Sequence, residues 1–226
     1  MIPLRDTIPA GRTAWVVRWL IALNLIGFGL ELRQGAALET FFYRFGLVPS
    51  YWQLSRFSDV LQWPPLLLTL VSSQFLHGSL LHLGSNLLYL LIFGDNVEDR
   101  LGHARFLVFY VASGAAAGVL QLVMDPRASV PMIGASGAIA GVLGAYFLLF
   151  PFARVVTLLP LFLLWKTIEV PAFVFLGLWF LLQWWQGLST IGQMAQVGGV
   201  AWWAHVGGFA CGLGLILLLR PRRHYF

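Results

Sequence analysis

Six apolar stretches, nearly free of charge, constrain this chain more than any other feature. A helix needs roughly 20 apolar residues to cross the hydrocarbon core of a bilayer. Charges and helix breakers delimit six such segments at about 14–32, 80–97, 104–124, 134–150, 171–187 and 197–219. Arg18, Asn24 and Glu31 interrupt the first, and Arg18 and Glu31, near its ends, are expected to snorkel to the headgroups. Only 10% of the residues are charged, whereas a soluble domain carries about a quarter. That excludes a disordered chain, a nucleic-acid module and an ordinary water-soluble enzyme, despite the net charge of +5. One cysteine, Cys211, leaves no intrachain disulfide. The expectation is an all-α membrane protein of six transmembrane helices, forming a single domain over 1–226.

Lys and Arg fix orientation. Arg5, Arg12, Arg18, Arg100, Arg105, Arg154, Lys166, Arg220, Arg222 and Arg223 fall on one side of the six spans, and Arg33, Arg44, Arg56 and Arg127 on the other. The richer side is expected to be cytoplasmic, with both termini there: a short segment 1–13 and a basic tail 220–226. No small-residue cleavage site follows the first apolar core, so that span is expected to be retained. A bacterial cytoplasmic membrane fits this charge bias. Residues 33–79 carry Phe41, Phe42, Tyr43, Tyr51, Trp52, Phe57 and Trp63, too aromatic for a hydrated loop. Pro64 and Pro65 oppose a continuous helix there, so a structured outer loop between helices 1 and 2 is expected. The apolar, β-branched stretch 151–170 reads as an extended segment at the inner face. Gln183, Gln186, Gly187, Ser189, Thr190, Gln193 and Gln196 read as a polar link before the last span.

Polar groups inside spans are costly and usually functional; here they are His82, Asn86, Gln121, Ser136 and His205. His82 and Asn86, at i and i+4, share one helix face that must turn away from lipid. Taken alone they are either interhelical glue or functional donors. Ser136 opens a span of 15 residues, about 22 Å long at 1.5 Å per residue, against a core of roughly 30 Å. Its helix therefore starts below the outer surface, with free amides at its positive end. Such a serine is either a helix cap or a hydroxyl placed beside oxyanion donors. His205 stands beside the row Ala204, Gly208, Gly212, and Gly137 and Gly141 make a similar row on the fourth span. Such rows let two backbones approach closely. His77 and His82 are five apart and no HExxH occurs, which disfavours a metal. Cys211, six residues from His205, faces roughly the opposite side.

Together these residues resemble the rhomboid family of intramembrane serine proteases, from about Phe45 to Leu219. The likeness is carried by Phe45-Gly-Leu-Val-Pro49, Ser73-Gln-Phe-Leu-His77, His82-Leu-Gly-Ser-Asn86, Phe93-Gly-Asp-Asn-Val-Glu98-Asp-Arg100-Leu-Gly102, Gly134-Ala-Ser136-Gly137 and Ala204-His205-Val-Gly-Gly208. The resemblance implies a six-helix core with a Ser–His dyad. Ser136 is then the nucleophile and His205 the general base. His82, Asn86 and the Ser136 amide are the oxyanion donors, and Gly134 opens room for that hole. The resemblance also makes Glu98 and Arg100 an inner-end structural pair and His77 a stabiliser of the outer loop. Tyr43 and Arg44 loosely resemble the family's Trp-Arg pair, and Ala140 replaces an aromatic that often stacks on the base.

The implied activity is a serine endopeptidase that cuts transmembrane segments of membrane proteins through an acyl-enzyme, with no cofactor, metal or nucleic acid. Its partners are single-pass or other membrane-protein substrates and the lipid bilayer. Small or helix-breaking residues are expected near the cut, because a stable helix hides its amides. The aromatics of the fifth span, from Phe173 to Trp185, are expected either to face lipid or to form a lateral gate. The competing expectation is a catalytically silent rhomboid-like protein that binds or escorts membrane clients.

Overall fold

The computed structural model describes residues 1–54, 66–161, 164–190 and 200–219. Phe57, Trp63, Pro64 and Pro65, the link residues Gln193 and Gln196, and the basic tail lie outside the described residues. The chain opens with strand β1 (Ile2–Asp6), followed by α1 (Trp15–Leu32). The outer segment then holds α2 (Leu38–Phe45), α3 (Pro49–Leu54) and α4 (Leu66–Ser72). Next come α5 (Leu80–Leu101), α6 (His103–Met124) and α7 (Ser136–Leu149). The strands β2 (Arg154–Leu161) and β3 (Leu164–Pro171) precede α8 (Ala172–Thr190) and α9 (Trp202–Leu219).

The six apolar stretches correspond to α1, α5, α6, α7, α8 and α9. Of these, α1, α6, α8 and α9 are individually long and apolar enough to cross a membrane. Two depart from the simple pattern. Asp95, Glu98, Asp99 and Arg100 charge the last turns of α5, which also meets the helical stretch Leu66–Phe75 at an 85° bend. α7 has only 14 residues.

Local chemistry sets the helix ends. Ser79 caps α5, its hydroxyl accepting from the His82 amide at 3.1 Å. Gly102, at φ 75°, ends α5 and turns directly into α6. α1 has no cap of its own. Its first amides, Val16 and Val17, donate to the Glu98 carboxylate of α5 at 2.9 and 2.8 Å, a negative charge at the positive helix end. His103 also contacts Glu98. Glu98 and Arg100 are therefore not a pair: the Arg100 guanidinium lies 5.0 Å over the Phe150 ring. Nor does Glu31 snorkel. It is buried, and its carboxylate accepts from the His77 amide at 2.7 Å, because the outer segment folds back over the end of α1. Arg18 is exposed beside Trp15.

The stretch 151–170 forms more than one extended segment. β2 and β3 make an antiparallel hairpin pairing Val156 with Glu169, and β1 adds antiparallel to β2, pairing Ile2 with Leu158 and Asp6 with Val155. Alternation explains β2, where Val155 and Thr157 are buried and Arg154 is exposed. The segment 1–13 is thus partly a strand, anchored where Tyr146 of α7 and Asn96 of α5 donate to the Asp6 carboxylate. Burial raises the pKa of Asp6 above its ordinary value.

α7 is the centre of the bundle: every residue from Gly137 to Tyr146 is buried. Its contact with α9 is backbone on backbone. A Cβ on Gly208 would overlap the Gly137 carbonyl, and one on Gly212 the Gly141 carbonyl. On the other flank, a Cβ on Gly137 or Gly141 would strike Ala117 or Ser113 of α6. The two glycine rows are thus the seam between helices. Gly208→Val is expected to cost at least about 1–3 kcal/mol through overpacking, read as a lower unfolding midpoint in detergent. Gly214→Ala, where a Cβ meets nothing within 4 Å, is the control and should leave the midpoint unchanged or raised.

Candidate active site

The strip before α7 is held from two sides. Leu47 and Met132 exchange backbone hydrogen bonds of 3.0 and 2.8 Å, and the Gly134 amide donates to the Ser73 carbonyl at 2.9 Å. Ser72 Oγ donates to the Phe45 carbonyl at 2.6 Å, tying the outer segment to itself. Gly134 takes φ 129°, a backbone region that is essentially glycine's alone. A Cβ there would stand 2.8 Å from the His82 ring and 3.6 Å from Ser136 Oγ. The missing side chain leaves a space bounded by those two groups.

Ser136 is the first residue of α7 but does not cap it: Ala135 holds the cap position, and no side chain bonds the free amides. The hydroxyl instead lies 2.8 Å from His205 Nε2 on α9, 69 residues away in sequence. The other ring nitrogen, Nδ1, lies 2.7 Å from Gln183 Oε1 on α8. Two indoles flank the imidazole, Trp179 at 5.8 Å and Trp202 at 6.3 Å between ring centroids. The aromatic that Ala140 does not supply thus comes from α8 and from α9 itself.

Ser136, His205, His82, Asn86 and Gly134 line one cavity of ≈ 1090 Å³. Asn86 is buried, and its Nδ2 has no hydrogen-bond partner within the protein. An unmade bond of this kind costs about 1–3 kcal/mol, and such donors persist where a ligand supplies the acceptor. Gln121, from the polar list, has another duty: its Oε1 accepts from the Ala204 amide at 3.2 Å, just ahead of His205. Among the described residues, no three His, Cys, Asp or Glu side chains converge as a metal site requires.

His77 sits outside the dyad. Its ring packs edge-on against His82, 5.1 Å between centroids, and neither ring nitrogen has a partner within the protein. Burial, reinforced by the nearby His82, lowers its pKa to about 4.

Sequence reasoning missed Gln183 and Trp179. The expected polar link begins at Gln183, yet α8 continues to Thr190. The missed signal was periodicity: the buried positions Ala172, Leu176, Gln183 and Gly187 recur at helical spacing, which puts Gln183 on the inward face. Trp184 and Trp185 are exposed, so that part of the aromatic series faces outward.

The fold is a helical membrane bundle, and the chain is a multi-pass integral membrane protein. The rhomboid domain profile matches residues 64–222. The chain is 32% identical over 158 residues to RHOMBOID-like protein 5 of Arabidopsis thaliana, covering 69% of this chain and 46% of that protein. It is 36% identical over 92 residues to Rhomboid protein 1, mitochondrial, of Saccharomyces cerevisiae, covering 39% and 27% of the two. Rhomboid protease GluP of Bacillus subtilis is 41% identical over 76 residues, covering 34% and 14%. The chain belongs to the rhomboid family, and these matches span less than half the length of each relative.

A buried neutral histidine takes up a proton more readily when unfolded, so its contribution is complete above pH 6.5 and is lost as pH falls from 6.5 towards 4. The unfolding midpoint in detergent should drop over that window, and the drop should be smaller in His77→Phe. Equal pH dependence in both proteins would refute this.

Proposed function

We propose that this chain is an intramembrane serine endopeptidase that cleaves transmembrane segments of membrane proteins. The observation that carries the reading is the 2.8 Å approach of Ser136 Oγ to His205 Nε2 at the wall of the large cavity. A hydroxyl in line with an imidazole is the minimum equipment for nucleophilic acyl transfer.

In this reading Ser136 attacks the scissile carbonyl carbon while His205 takes its proton. The carbonyl oxygen becomes an oxyanion that accepts from Asn86 Nδ2, the His82 ring and the Ser136 amide, where the start of α7 adds its positive end. His205 then protonates the departing amine, leaving the acyl group on Ser136. Water, deprotonated by His205, attacks the ester and releases the acid. The empty space at Gly134 is where the oxyanion fits. His77 and Glu98 serve as structural supports, His77 under His82 and Glu98 as the cap of α1, while Arg100 covers Phe150. Substrates are helices that unwind near the outer face, with both termini of the enzyme on the opposite, cytoplasmic side.

The test is proteoliposomes carrying a model transmembrane substrate. Wild type should cut it, whereas Ser136→Ala and His205→Ala should not. Asn86→Ala should lower kcat by about 10²–10³-fold, as expected for an oxyanion donor. Cleavage by Ser136→Ala would remove the nucleophile assignment. A wild type that binds the substrate without cutting it, and whose Ser136 ignores serine-directed reagents, would establish the escort function instead. Gly134→Ala should abolish cleavage, because its Cβ fills the oxyanion space and the backbone there is strained for any other residue.

A further inference from the structure

A base that serves a serine must present a lone pair, so His205 has to carry its single proton on Nδ1 when Nε2 faces Ser136. Which nitrogen holds the proton is set by what the other nitrogen meets. In solution neither partner is imposed. In this bundle Nδ1 meets one group, Gln183 Oε1, at 2.7 Å.

We propose that Gln183 is the positioning residue of the Ser136–His205 pair, its side-chain carbonyl holding the imidazole proton on Nδ1 so that Nε2 meets the serine as an acceptor. The proposal rests on the protease reading for its catalytic meaning, but its structural content stands apart from it. Three observations carry it. Gln183 is buried on the face of α8 that looks into the bundle. Trp179 lies one turn before it on the same helix and packs against the same ring, so α8 grips the imidazole at two points, face and edge. No carboxylate is hydrogen-bonded to the ring among the described residues. The charged or titratable side chains sharing its cavity are His82 and Tyr89 of α5 and Asp125 just beyond α6.

An amide suits this depth for a physical reason. A carboxylate on Nδ1 would stabilise the imidazolium more, but it would bring a full charge into a low-dielectric span, where ionised side chains are expensive. A glutamine carbonyl accepts the same proton without that charge. The imidazolium is then favoured less than in a triad.

The experiment uses the full chain in proteoliposomes, with Gln183→Leu, Gln183→Glu and Ser136→Ala beside wild type. Two readouts are taken: cleavage of a model transmembrane substrate as a function of pH, and nitrogen-15 spectra of histidine-labelled protein, with His205 assigned by its loss in His205→Asn. Wild type should show the proton on Nδ1. Gln183→Leu should show mixed tautomers and lose at least about tenfold in kcat, part of the about 10²–10⁴-fold that a positioned base supplies. Its KM should stay within about twofold, since substrate binding is untouched. Gln183→Glu should regain most of the lost kcat and move the acid limb of the pH profile upward by about 1–3 units, because a carboxylate favours the protonated ring.

A wild-type proton on Nε2 would overturn the proposal. So would a Gln183→Leu protein with an unchanged nitrogen-15 pattern, whether its activity is retained or falls only with its folded fraction. If wild type shows the Nδ1 proton and Gln183→Leu scrambles it while no protein cuts substrate, the positioning role stands and the protease reading fails.

Discussion

The architecture depends on the absence of side chains along the seam between α7 and α9. With glycine at Gly208 and Gly212 facing the carbonyls of Gly137 and Gly141, the two backbones come closer than any pair bearing Cβ atoms could. That approach brings a short serine side chain on one helix to within hydrogen-bond reach of an imidazole on the other. α6 presses on the opposite flank through Ala117 and Ser113. The serine is therefore positioned by packing on two sides, and little of its placement rests on a loop.

The polar groups inside the bundle divide by how they are satisfied. Glu98, Gln121 and Glu31 each accept from backbone amides, at the start of α1, the start of α9 and the connection before α5. These contacts hold pieces together without charge reaching lipid. Asn86 does the opposite, keeping an unpaired amide beside the cavity. A membrane interior penalises such a group, which makes its retention informative.

Much of this was legible from residue order. Ser136, His205, His82 and Asn86 stand out because polarity within an apolar run is rare, and the roles proposed for them come from the resemblance to the rhomboid family. The close helix seam could be foreseen from small residues at every fourth position. Gln183 was hidden because three more polar residues and two serine or threonine side chains follow soon after it, so it reads as the start of a polar link although it lies inside the fifth apolar stretch. The partners of Glu98 were hidden for a different reason. A carboxylate that caps a helix eighty residues earlier leaves no local pattern, and a neighbouring arginine offers a more obvious but unused partner. β1 was invisible because five residues have no periodicity of their own and need β2 to become a strand.

That last dependence has a consequence for assembly. β1 is synthesised long before its partner β2, which lies some 150 residues further along the chain (Ile2 pairs with Leu158). The Tyr146 that donates to Asp6 is nearly as late. Loop closure over such a separation is slow compared with helix formation. β1 must therefore wait for its strand partner until α1, α5, α6 and α7 have been made, with Asn96 of α5 the earlier partner for Asp6. Its docking then links β1 to the helix that bears the serine, a closure available only to chains synthesised past the hairpin.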